Sequence, residues 1–131
     1  MHTADIHLWA RALLNEDPAK AKRARDYIAG ASTGSGLYVP LVVLVEIFWV
    51  LRVRWERERV LDVLDALVHT RGVTVESAIL VRKALASARK GRRNFPDRLV
   101  AEISAEAGAS AVLTVEEASA WVPWEHFEKL K

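Results

Sequence analysis

Four acids, Asp5, Glu46, Asp97 and Glu116, carry most of the chemistry this sequence can offer. They come from four distant segments. Asp5 ends the first short strand candidate, and Glu46 lies on the helix after an apolar strand. Asp97 falls in the first turn of its own helix, and Glu116 comes just after the strand ending at Thr114. Carboxylates gathered at one place repel one another unless a divalent cation sits among them. Two such cations would suit hydrolysis of a phosphodiester, because they stabilise charge on the attacking and the leaving oxygen. Other metal chemistry is disfavoured. The chain has no cysteine, and its four histidines form no HxxxH-type pair, which leaves a hard cation on carboxylate oxygens.

Each acid also has a structural reading. Asn94 and Asp97 have the spacing of a helix N-cap and its third-position partner, and Thr114 and Glu117 that of a capping box. Asp5 fits a turn. Glu46 is the least ordinary of the four, being the single formal charge between Leu37 and Leu51. On a helix it shares a face with Val42, Val43, Trp49 and Val50. An ionised carboxylate buried in that company costs several kcal/mol without a partner. The stretch therefore predicts either a ligand at the edge of a pocket or a side chain that reaches solvent or a nearby arginine.

The elements that must position these acids alternate along the chain. Residues 1–4 read as a short first strand ending at Asp5. Leu8, Trp9, Ala12 and Leu13 recur at helical spacing, which predicts a helix over Ile6–Leu14. Asp17 caps a second helix with Pro18 in its first turn, running to about Ala29 before a Gly/Ser loop over 30–36. Leu37–Val39 is a strand, and Pro40 opens the helix that carries Glu46. After a mixed-charge turn over 52–59, the apolar stripe Val60, Leu61, Leu64, Leu67 and Val68 marks a further helix.

Val73–Val75 is the next strand, and Ser77 caps a helix with the stripe Leu80, Val81, Ala84, Leu85 and Ala88, closed by Gly91. Residues 94–97 open a helix to about Ala107. Residues 111–114 form a buried-type strand, 116–120 a short helix, and the tail from Trp121 leaves room for a last strand. Strands separated by helices predict an α/β fold, a parallel sheet with helices on both faces, as a single domain over 1–131. In such a sheet ligands bind outside the carboxyl ends of the strands, where Asp5 and Glu116 fall.

The segment from Asp5 to Pro18 resembles the opening of VapC-type PIN-domain toxins, in which an Asp-Thr-Asn start leads to Leu-Leu and a later Asp-Pro. Val39 to Leu51 is similar to that family's most recognisable segment. Asn94-Phe-Pro-Asp-Arg-Leu-Val-Ala101 resembles its Asp-Phe-x-Asp-x-Leu-Ile-Ala, and Val112-Leu-Thr-Val-Glu116 its Leu-Thr-Phe-Asp. Order and spacing agree over essentially the whole chain.

The resemblance implies a three-layer sandwich with a five-stranded parallel sheet. It implies a toxin ribonuclease of a type II toxin–antitoxin module that depends on Mg2+ or Mn2+, with a cognate antitoxin and a homodimer. The acidic quartet would carry over onto Asp5, Glu46, Asp97 and Glu116, with Asn94 and Thr114 beside it. There are departures. Ile6 and His7 stand where the family has Thr and Asn, Asn94 where Asp is usual, and Glu116 where Asp is usual. Those changes keep open a degenerate PIN domain that binds antitoxin or RNA with weak or no cleavage.

A net charge of +2 is too small to argue for nucleic acid by itself, so local clusters must carry that case. Lys90, Arg92 and Arg93 directly precede the 94–97 turn and are expected to rim the site, with Arg11 near His7 close by. Lys20, Lys22, Arg23 and Arg25 read as a solvated helix face. Trp49, Trp55, Trp121 and Trp124 offer aromatic surface for a partner. The start has no signal-peptide pattern and the apolar stretch is short of a membrane span, so a cytoplasmic protein with no membrane contact is expected. A phosphoacceptor receiver domain would need paired acids after the first strand and an acceptor Asp after the third. Asp5 has no acidic neighbour, and Val75 is followed by Glu76 and Ser77.

Overall fold

The structure is a computed structural model of the chain and describes residues 1–91, 93–114 and 127–129. The chain divides into two compact units, Met1–Ala78 and Ile79–Lys131. The first unit runs α1 (Ile6–Leu14), α2 (Pro18–Thr33), β1 (Leu37–Val39), α3 (Leu41–Arg52), α4 (Arg57–Val68) and β2 (Val73–Val75). β1 and β2 pair in parallel, with Leu37 opposite Val73 and Val39 opposite Val75. The amino-terminal segment lies along the other side of β1 through a parallel bridge between His2 and Leu37. Its hydrogen bonds are His2 N–H to the Gly36 carbonyl at 2.9 Å and Tyr38 N–H to the His2 carbonyl at 2.7 Å. Three segments therefore point the same way, and Asp5, Pro40 and Glu76 all stand just beyond their carboxyl ends.

The predicted bounds of α1 are met, whereas α2 runs four residues past Ala29 to Thr33. Gly30 does not break it, and the Thr33 hydroxyl donates back to the Ala29 carbonyl at 2.8 Å. Gly34 ends the helix, its N–H on the Gly30 carbonyl at 3.0 Å. On α3 the buried stripe is Leu44, Ile47, Phe48 and Leu51, at the spacing of one helical face. The face with Glu46 points to solvent instead, with Val42 71% and Trp49 51% exposed. The expected α4 stripe is buried in full.

Gly72 sets up β2. Its φ of +83° suits only glycine, and its carbonyl accepts the Leu37 N–H at 2.9 Å, which fixes β2 against β1.

The second unit holds most of α5 (Ala78–Lys90), then α6 (Phe95–Glu106), β3 (Val112–Thr114) and β4 (Phe127–Lys129). β3 and β4 pair in parallel, Val112 opposite Phe127 and Thr114 opposite Lys129. The fold is α/β with parallel pairing, as expected. Among the described residues, however, it has two two-stranded sheets and the His2 bridge in place of one five-stranded sheet. The residues 111–114 are less buried than their apolar run predicts, since Leu113 faces solvent. Ser77 is not an extended N-cap but sits at φ 51°, in the left-handed region. The helix expected over 116–120 lies outside the described residues. Among the described residues no helix is long and apolar enough to cross a membrane.

Candidate functional site

Asp5 has two roles open to it because it ends one element and starts another. It is the N-cap of α1, with extended backbone, and its Oδ1 accepts the Leu8 N–H at 3.0 Å. That is more than the turn role read from the sequence. The bond fixes the carboxylate at the positive end of the helix dipole, where a negative charge is favoured. The group is exposed, and no ion pair or further side-chain hydrogen bond engages it among the described residues.

Glu46 lies in the middle of α3 and is exposed. The buried-liability reading is thereby resolved: the carboxylate keeps its water, at no desolvation cost, on an apolar face. It too has no ion-pair partner among the described residues.

Glu76 is a residue that sequence reasoning missed, although it follows β2 as Asp5 follows the first segment. Its Oε1 accepts the Leu41 N–H at 2.9 Å, so it serves the N-terminus of α3 from the neighbouring strand end. Pro40, the N-cap of α3, has no side chain able to do this. Glu76 therefore ties the helix of Glu46 to the sheet edge of Asp5. Glu76→Ala should lower stability by about 1 kcal/mol, the usual value of a lost helix cap, while Glu76→Gln keeps the acceptor and most of the stability. Urea unfolding of both variants checks this.

In the second unit Asn94 is the N-cap of α6, as its spacing to Asp97 predicts, yet its side chain makes no capping bond. Glu117, the partner of Thr114 in the expected capping box, lies outside the described residues. Asp97 lies in the first turn of α6 and is partly exposed. Thr114 closes β3. Glu116 and Arg92 lie outside the described residues. Lys90 is exposed at the end of α5, but Arg93, expected on a phosphate-binding rim, is only 7% exposed. Its guanidinium is taken into the fold. So is that of Arg98, which sequence reading did not single out and which is 2% exposed. Gly91 makes room for it: a Cβ there would collide with the Arg98 guanidinium.

Among the described residues no three of His, Asp and Glu stand close enough to hold a metal ion together. Asp5 and Glu46 nonetheless have the chemistry a hard cation needs, as exposed carboxylates with no ion-pair partner among the described residues.

No curated protein and no solved structure matches the chain. The model of one family does match it: the family described as PIN domain, over residues 5–120, a span that begins at Asp5.

Proposed function

The chain belongs to the PIN domain family of nucleases, and from that premise we propose that it is a metal-dependent endoribonuclease acting as the toxin of a type II toxin–antitoxin module in the cytoplasm. Asp5 carries the reading. The family match starts there, and the residue stands beyond the carboxyl end of the first parallel segment with its orientation locked by Leu8 N–H.

In this proposal Asp5, Glu46, Asp97 and Glu116 hold Mg2+ or Mn2+, with Asn94 and Thr114 as neutral oxygen groups beside them. When bound, the cation would supply charge stabilisation at the phosphate and an activated water. The chain's own contribution is placement. The α1 cap holds Asp5 still, and Glu76 anchors the start of the helix on which Glu46 is carried. Asn94, unused as a cap, is free to accept a hydrogen bond from water but adds no negative charge. A cognate antitoxin and a second copy of the chain are the expected partners, and the exposed Val42, Trp49 and Val53 on α3 and at its end offer apolar surface for one.

Ile6, His7 and Asn94 favour a second reading, in which the domain binds RNA or antitoxin and cuts poorly. Glu46→Gln tests the metal role. It should sharply weaken Mn2+ binding in calorimetry and leave the melting temperature within about 2 °C, since an exposed surface change is worth under roughly 0.5 kcal/mol. Mn2+ binding equal to that of the wild type would remove Glu46 from the site.

A further inference from the structure

The surface shared by α1 and α2 sorts its cations into two groups. Lys22 is paired with Asp26 at 2.8 Å, and Arg25 donates to the Ala12 carbonyl at 3.2 Å. Arg11, Lys20 and Arg23 are exposed, and their side chains have no partner among the described residues. These three line one depression of about 240 Å³ together with Leu8, Ala24 and Tyr27. Arg11 and Lys20 continue into an adjoining depression of about 330 Å³ that reaches His7.

The acids nearby do not cancel this charge. Glu16 pairs with Arg54 at 2.9 Å, Asp26 with Lys22, and Asp17 caps α2 through Lys20 N–H at 3.3 Å. Tyr27 is 74% exposed, the most exposed aromatic among the described residues. Lys20, Arg23 and Tyr27 are spaced three and four residues apart on one face of α2, a line about 10 Å long. Arg11 faces them from α1, about 9 Å along the helix from the Asp5 cap.

We infer that this surface is a track for single-stranded RNA, in which Arg11, Lys20 and Arg23 contact successive phosphates and Tyr27 stacks on an unpaired base. It rests on the ribonuclease reading and extends it by naming where the strand lies on its way to Asp5. Free cations beside an exposed ring are the combination that holds a single strand without reading its sequence. A duplex would leave Tyr27 without a base face. A peptide finds no strand edge here, because both walls are helices whose backbone groups are already bonded.

The test is fluorescence anisotropy of a labelled 12-nucleotide single-stranded RNA with the full chain in EDTA, over a series of KCl concentrations. The variant Arg11→Gln/Lys20→Gln/Arg23→Gln should bind at least tenfold more weakly at low salt. Its dependence of log affinity on log salt should be shallower by about 2, at roughly 0.7 for each single-strand phosphate left without its cation. Tyr27→Ala should weaken binding about tenfold with the salt slope unchanged, because stacking releases no counterion. Lys22→Gln removes a charge from the same helix and should leave the slope as in the wild type.

An unaltered slope in the triple variant overturns the track, as does a loss in Lys22→Gln equal to that of one track residue, or a wild type that does not bind RNA. A surface built for an acidic protein segment would give the first of these. Should the triple variant fail to fold, Arg23→Gln alone carries the test at one third of the slope change. Binding in EDTA is independent of cutting. Wild type that binds through the track but never cleaves would sink the nuclease reading and spare this one.

Discussion

Asp5→Asn should lower RNA cleavage by about a hundredfold or more while leaving the fold as stable as the wild type. The two outcomes separate because Asp5 does two things. Its Oδ1 caps α1, and asparagine caps about as well as aspartate, so the bond to Leu8 N–H survives the change. Its negative charge does not survive. A ligand carboxylate supplies several kcal/mol of transition-state stabilisation through the cation it holds, and each 1.36 kcal/mol is tenfold in rate, hence the factor of about a hundred. Asp5→Ala removes the cap as well, at a further cost of about 1 kcal/mol and a fall of about 4 °C in melting temperature. Equal activity in Asp5→Asn and wild type would leave Asp5 as a cap alone.

Gly72→Ala should be the most damaging single methyl in the chain, lowering stability by roughly 3 kcal/mol or more through strain and overpacking. A Cβ at that position meets the Ser32 backbone, with its carbonyl carbon 2.8 Å away and its oxygen closer still. Backbone cannot swing aside as a side chain can. The φ of +83° adds strain of its own for any residue with a Cβ. The damage would reach the site as well, because Gly72 hands its carbonyl to Leu37 and so aligns β2, which leads into Glu76. A thermal melt within a few degrees of wild type would contradict this account of the turn.

Much of the local structure is legible because the signals are local. Asp17 followed by Pro18 marks the start of α2, and the stripe from Val60 to Val68 marks α4. The orientation of α3 is not legible, for a physical reason. A helix that is apolar nearly all round has no polar face to set it, and the apolar neighbours of Glu46 suggest burial. The stripe Leu44, Ile47, Phe48 and Leu51 is equally present, and packing selects it.

Arg93 shows the opposite error. A basic cluster beside a turn suggests solvent, and the fold absorbs the guanidinium. The difference between Lys22 and Lys20 is half readable, since Asp26 lies four residues after Lys22. Arg25 depends on the Ala12 carbonyl, which belongs to another helix and leaves no local trace. The sheet is the least legible part, because strands of three residues are too short to show an alternation that fixes their order. Glu76 can be found by analogy with Asp5, as the acid directly beyond a parallel strand.

The most direct test of the central claim is cleavage of a 5′-labelled single-stranded RNA by the full chain, with Mn2+ or Mg2+ and with EDTA, beside Asp5→Asn. The account predicts internal cuts that require the cation, stop in EDTA, resume when cation is restored, and fall about a hundredfold in Asp5→Asn. Cleavage that persists in EDTA or in Asp5→Asn at the wild-type rate would contradict it, and so would intact RNA at every cation concentration.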